Sequence, residues 1–459
     1  MHSIDQIEDI RKKQLIFFSS NITKDLKFRK DSLRKLKKSI IRYDADIREA
    51  LKRDLNKSAF ETYATETGIV LHELGTMLRN LSRWSGPENV ITPMFALPSR
   101  SMIIPEPYGR ILIISPWNYP FHLPMVPLIG AVAAGNVAIV RQSRFSPSTN
   151  EIMKTIIGEC FVEDHVALIE CDHETIGKAL DKRWDFIFFT GSTEVGRKVY
   201  EKAAKNLTPV VLELGGKSPV VVEEDAVLKI AAKRIIWGKT INSGQTCIAP
   251  DYLFVHQNVK EKLSELLKEE IVNMFGNNPV DNPDYPKLVS SKAFNRLAEC
   301  LDNAKIITGG RTNCDKMSIE PTLIEATIDD ECMKGEIFGP ILPVISYSNL
   351  DEVIRFINSR EKPLAAYLFS TDRKKQKRFI RETSSGACLI NDVILHIANK
   401  KLPFGGVGES GTGRYHGKFS LRTFSNMKSV MKTSPSLDLP FKYPPFNNAK
   451  GKLLRIFLK

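Results

Sequence analysis

Residues 110–140 constrain the fold more than any other stretch of the chain. Arg110-Ile111-Leu112-Ile113-Ile114-Ser115 is a short apolar run. It shows no alternation of polar and apolar residues, which suits a parallel strand buried on both faces. Pro116-Trp117-Asn118-Tyr119-Pro120 breaks the run, and an apolar helix is predicted over 121–134. Gly135-Asn136 turns the chain into a second buried strand, Val137-Ala138-Ile139-Val140. Two such strands joined by a helix are a βαβ unit. The unit recurs as Ala167-Leu168-Ile169, a helix over 174–181, and Phe186-Ile187-Phe188-Phe189. The α/β alternation predicts a doubly wound, Rossmann-like parallel sheet.

The flanks add to this frame. Residues 4–56 read as charged amphipathic helices, and 60–84 continue with apolar residues three to four apart until Gly86-Pro87. Ile91–Pro107, rich in Pro and β-formers, suggests an extended hairpin projecting from the core. From about 210 a second α/β region follows. Its expected strands lie at 209–214, 218–222, 253–255, 306–307 and 343–345. Its expected helices cover 225–240, 258–274, 291–303, 350–359 and 371–382. A glycine-rich stretch, Pro403–Gly413, comes near the end.

Composition narrows the function classes. At roughly 100–200 residues per domain, 459 residues make two to four domains. The net charge is +13, but Lys and Arg are mixed with acids on helical patterns, and no nucleic-acid motif accompanies them. The seven cysteines are scattered, without a CxxC pair or Cys/His cluster, so neither a metal site nor a disulfide framework is expected. This usage fits a reducing cytoplasm. The N-terminus lacks a signal-peptide pattern, and no apolar run is long enough to span a membrane.

Four local patterns carry chemistry. In Asn242-Ser243-Gly244-Gln245-Thr246-Cys247 a thiol ends a tight polar bend suited to presenting a nucleophile, although a buried structural cysteine would also satisfy the pattern. Gly191-Ser192-Thr193-Glu194-Val195-Gly196 follows a predicted strand and opens a helix, a place for an anionic pyrophosphate or simply a turn. Glu213, before Leu214-Gly215-Gly216, ends a strand between leucines, where desolvation would raise its pKa toward general-base range; an edge acid is the plainer reading. Asn118, framed by prolines, is either an amide donor for an oxyanion or a turn residue. Together a thiol, a base, an amide donor and a phosphate site define aldehyde oxidation through a thioester, with hydride passing to a nicotinamide.

Six ordered motifs carry a resemblance over nearly the full length. They are Pro116–Pro120, Phe189–Thr193, Glu213–Pro219, Gly244–Cys247, Glu336-Ile337-Phe338-Gly339-Pro340 and Pro403-Phe404-Gly405-Gly406. The chain resembles the aldehyde dehydrogenases. Cys247–Tyr252, Asn391–His396 and Tyr415-His416-Gly417-Lys418 point to the class 3 branch, which acts on fatty and aromatic aldehydes.

The resemblance implies that Cys247, Glu213 and Asn118 are catalytic and that Tyr119 lines the aldehyde tunnel. Glu336 would bind the nicotinamide ribose, and Phe338 would pack near the nicotinamide. Ser115, Trp117, Arg141, Ser143, Arg144, Gly191, Ser192 and Gly196 would border the cofactor. It also implies a cofactor domain (1–90 and 107–210), a catalytic domain (211–400), an oligomerisation region (91–106 and 401–440) and a homodimer. The sequence departs from the family after Val140. Arg141-Gln142-Ser143-Arg144 replaces the usual Lys-Pro-Ser-Glu, so Arg144 stands where a carboxylate would repel a 2′-phosphate. NADP is therefore expected to serve at least as well as NAD. The basic amphipathic tail, 441–459, is expected to pack across the dimer, with contact to an anionic membrane surface as the alternative. An acylating enzyme that passes the thioester to CoA is disfavoured by Glu213, and a silent scaffold is disfavoured by the full set of Cys247, Glu213 and Asn118.

Overall fold

The computed structural model describes residues 1–458; Lys459, the end of the basic tail, lies outside the described residues. A six-stranded sheet forms the first layer, with strands ordered 411–412, 210–213, 186–190, 110–114, 137–141 and 166–169. All pairings are parallel except that of 411–412. The chain starts in the middle at Arg110–Ile114 and builds outward twice, first through 137–141 to 166–169, then back through 186–190 to 210–213. This is the doubly wound arrangement that the sequence predicts, and its switch point lies between Arg110–Ile114 and Phe186–Thr190.

Helices close both faces. His122–Ala134 is buried at every residue, as expected of a helix that is apolar all round. It packs against Gly68–Trp84, Leu26–Arg42 and Lys418–Thr423. Asn136 fixes the turn that follows. Its Oδ1 accepts the Gly109 N–H at 2.9 Å, and its Nδ2 donates to Phe424 O at 2.8 Å and Ala131 O at 3.2 Å.

The second sheet has seven strands in the order 305–308, 322–325, 341–347, 252–256, 219–222, 365–369 and 387–390, parallel except for the first pair. Three of these strands go unpredicted. Thr322–Glu325 and Ala387–Ile390 are only four residues long, and Ala365–Phe369 opens on two alanines. Their pairing partners, distant in sequence, decide them. The helix Pro147–Cys160 is likewise unpredicted. Val210–Glu213, read as the start of the second region, pairs with Phe186–Thr190 in the first sheet, so the expected boundary at 210 falls inside that sheet. The glycine-rich stretch, expected in the oligomerisation region, also lies along this sheet: Gly411-Thr412 pairs with Leu212-Glu213.

The expected hairpin over 91–107 begins earlier in the structure: Glu88–Val90, before that stretch, pairs with Arg100–Pro107, and Ser425–Lys432 adds a third antiparallel strand over eight residue pairs. The tail forms a helix, Asn448–Phe457, with no buried residue; it touches the turn Met94–Ala96 in the loop that joins Glu88–Val90 to Arg100–Pro107. Among the described residues no helix is long and apolar enough to cross a membrane.

Asn136→Ala leaves the Gly109 N–H and the Phe424 carbonyl buried and unpaired. Each orphan costs about 1–3 kcal/mol, so urea unfolding should show a loss of about 2–6 kcal/mol. A loss below about 1 kcal/mol would mean that this clamp is not a structural tie.

Candidate active site

At the switch point the carboxyl ends of two adjacent strands carry Ser115 and Thr190. Both hydroxyls are buried without a partner among the described residues. Beside them the helix Thr193–Ala204 begins, capped by Ser192, whose Oγ accepts the Val195 N–H. Gly196 lets this helix approach the sheet, since a Cβ there would sit 2.6 Å from Leu214 Cδ2. Unpaired hydroxyls, a helix N-terminus and a close helix–sheet contact fit an NAD(P) dinucleotide in this crevice. Gly191 makes the turn, where a Cβ would meet the Phe189 ring at 2.6 Å.

The neighbouring strand end carries the departing residues. Arg141 is buried and donates to Cys171 O at 3.1 Å, while Ser143 is buried and its carbonyl accepts from Asn150 Nδ2 at 2.8 Å. Arg144 is exposed, its guanidinium 5.1 Å from the Phe145 ring centre. Trp117 meets Phe338 edge-on at 5.6 Å between ring centres.

The reactive groups gather at the other side of the crevice. Three neighbouring strands of the second sheet, 219–222, 252–256 and 341–347, are entered by loops that carry Gly215-Gly216, Cys247 and Glu336. Glu213 faces them from the carboxyl end of strand Val210–Glu213, the second strand of the first sheet. One short loop, 214–218, joins the two sheets there.

The Cys247 loop is strained and pinned. Asn242, Ser243 and Gly244 all have positive φ, at 52°, 51° and 74°. A Cβ on residue 244 would lie 2.3 Å from Gly339 O, so only glycine fits. The strain is held by hydrogen bonds. Gln245 Nε2 donates to Asn242 O (3.0 Å) and Lys287 O (3.1 Å), and Gln245 Oε1 accepts the Val289 N–H (3.0 Å). Such over-determination fixes an unfavourable backbone at a working site. Thr246 Oγ1 shares a 2.5 Å hydrogen bond with the Tyr119 hydroxyl, which brings the expected tunnel residue beside the thiol.

Electrostatics single out three groups. Cys247 is partly exposed; burial first, then the charges of Glu336 and Glu213, push its thiol well above its ordinary value. Glu213 is buried with neither carboxylate oxygen partnered among the described residues; burial raises its pKa well above 4.5, against an opposing pull from Arg414. Gly405 makes room for it, since a Cβ there would stand 3.0 Å from Glu213 Oε1. Burial, aided by Asp251, raises Glu336 to about 8; its carboxylate lies over Gly215, where a Cβ would be only 2.6 Å from Oε2.

Asn118 is buried, its Nδ2 donating to Gln245 O at 3.0 Å, and its amide has a second N–H to give. Its backbone carbonyl accepts from Asn242 Nδ2 at 2.8 Å and from the buried Lys57 Nζ at 3.0 Å. Lys57, in the turn between helices Asp44–Leu55 and Ala59–Thr62, and Glu61 and Glu66 beyond it, none of them singled out by sequence, reach the Asn118 segment and the Asn242 turn. A lone Lys or Glu on a charged helix looks solvated, and no local spacing marks these three.

The family model described as "Aldehyde dehydrogenase family" matches residues 18–430. The chain belongs to the aldehyde dehydrogenase family. It is 46% identical over 446 residues to a 4,4′-diaponeurosporen-aldehyde dehydrogenase of Staphylococcus aureus, covering 96% of this chain and 97% of that protein. It is 38% identical to a rat aldehyde dehydrogenase family 3 member B1, covering 99% and 98%. A solved structure described as the substrate-bound state of Staphylococcus aureus AldH superposes with a TM-score of 0.97 at 45% identity, covering 99% of each chain. This aldehyde dehydrogenase is an oxidoreductase that oxidises aldehydes with NAD(P).

Glu213 gives a signed pH dependence. Its raised pKa means that the folded enzyme holds this proton more tightly than the unfolded chain does, so Glu213 takes stability away as pH climbs past about 4.5. Glu213→Gln removes that loss. Its melting temperature should gain on the natural enzyme as pH rises above about 5, and a pH-independent difference would contradict the raised pKa.

Proposed function

We propose that the enzyme oxidises medium-to-long aliphatic or aromatic aldehydes to carboxylic acids through a thioester on Cys247, which Glu213 helps to hydrolyse. The observation that carries this is the unpartnered, buried Glu213 carboxylate whose charge acts on the Cys247 thiol. Burial holds both groups above their ordinary values, and the Glu213 charge pushes the thiol up further. Loss of the thiol proton is easiest when Glu213 is protonated, and Glu213 is a base for water once the thiol is acylated.

Asn118 Nδ2 and the Cys247 N–H serve as donors to the oxyanion that forms on the aldehyde oxygen. Bound NAD(P) supplies the hydride acceptor for the oxidation. Ser115, Trp117, Gly191, Ser192 and Gly196 would hold it at the switch point, with Glu336 and Phe338 at its nicotinamide end and Arg141, Ser143 and Arg144 at its ribose end. Arg144 is exposed and free to meet a 2′-phosphate, which supports NADP serving at least as well as NAD.

The relatives' names support the class 3 substrate range, one of them naming a 4,4′-diaponeurosporen-aldehyde. The cofactor domain ends, in this reading, after Glu213 rather than at 210. The enzyme forms a homodimer through the three-stranded sheet, whose Ser425–Lys432 strand has one neighbour only, and the tail packs beside it.

Absorbance at 340 nm with NAD or NADP and a panel from acetaldehyde to decanal plus benzaldehyde tests this. Turnover should favour the longer or aromatic aldehydes and vanish in Cys247→Ala. Arg144→Glu should raise KM for NADP about tenfold or more and leave that for NAD little changed, since a charged hydrogen bond is worth about 1.5–3 kcal/mol. Turnover that survives in Cys247→Ala would refute the thioester route, and an unchanged NADP preference would refute the role of Arg144.

A further inference from the structure

We propose that Lys57, Glu61 and Glu66 are positioning residues for the reaction: one network, aligned by a π turn, fixes the Asn118 amide and the Cys247 loop against each other. The inference rests on the roles proposed above for Asn118 and Cys247. Lys57 and Glu66 are both fully buried, with Nζ 2.5 Å from Oε1. The same Nζ donates to Asn118 O at 3.0 Å and stands 4.0 Å from the Tyr119 ring centre. The other Glu66 oxygen accepts the N–H groups of Phe121 (3.2 Å) and His122 (2.7 Å), free donors at the start of helix His122–Ala134. Asn118 through His122 is thus gripped at both ends by one ion pair.

Glu61 takes the opposite loop. It accepts the N–H of Asn242 at 2.7 Å, the first of the three residues with positive φ before Cys247. Asn242 Nδ2 then returns to Asn118 O at 2.8 Å, closing the circuit. Two carboxylates five residues apart do not share a face of an α-helix, where they stand roughly 140° apart. Here Tyr63–Thr67 is a π turn, closed by the Gly68 N–H on Tyr63 O, and its looser winding brings Glu61 and Glu66 round to one side. Gly68 allows that closure, because a Cβ there would lie 2.4 Å from Tyr63 O.

A fully buried ion pair adds little net stability, since desolvation offsets its attraction. What this pair does supply is placement. Shifting a catalytic donor by about 1 Å can cost on the order of a hundredfold in rate.

The test is a double-mutant cycle between the pair variant Lys57→Met/Glu66→Gln and Asn118→Ala, on the full chain. The pair variant removes both charges and keeps an amide oxygen for the two helix N–H groups. Its kcat should fall about 10- to 100-fold, with NAD(P) affinity from tryptophan quenching unchanged within about twofold. In the Asn118→Ala background the same change should cost less than about threefold more, because the lost interaction is shared. Losses that multiply in full, or an unchanged kcat in the pair variant, would overturn the proposal. An unchanged kcat in Asn118→Ala alone would instead overturn the oxyanion role on which it rests. If the pair variant does not fold, Glu61→Ala enters the same cycle with the same readings.

Discussion

Both sheets bury their central strands on two faces, and that single constraint decides where chemistry can occur. A strand such as Ile111–Ile114 has no room for a polar side chain along its length. Polar groups can collect only where strands begin or end. The first sheet contributes its carboxyl ends, with Ser115, Thr190 and Glu213, and the second contributes the entries to its strands, with Gly215-Gly216, Cys247 and Glu336.

The same burial sets the electrostatics. Burial drives a thiol and two carboxylates toward their neutral forms, and the charges of Glu336 and Glu213 raise the thiol further. A site built this way rests without excess charge and ionises only as the reaction requires. Its precision has to come from elsewhere, since Asn242, Ser243 and Gly244 sit in a backbone conformation that would relax if released. The hydrogen bonds of Gln245 and the reach of the N-terminal helices supply that restraint.

The legible part of this account is the part that is local in sequence. The turn at Gly191–Gly196, the strand end at Glu213 and the bend at Gly244–Cys247 are each defined by a few consecutive residues, and the βαβ alternation needs only runs such as 110–114 and 137–140. Lys57 and Glu66 could not be read, because their partners lie 61 and 55 residues away at Asn118 and Phe121. For the same reason the strand Ala365–Phe369 was invisible: its two alanines suit a helix, and only pairing with Pro219–Val222 and Ala387–Ile390 makes it a strand. Glu213 was found by its motif, but its place on the first sheet was not, since pairing with Phe186–Thr190 and Gly411-Thr412 is a tertiary fact.

The central claim is that Cys247 carries an acyl group that Glu213 helps to release. Intact-protein mass spectrometry of Glu213→Gln, mixed with decanal and NAD(P), addresses it directly. The account predicts a gain equal to the aldehyde less two hydrogens, located on the peptide that contains Cys247. A gain of the whole aldehyde, or no adduct while acid still forms, would contradict it.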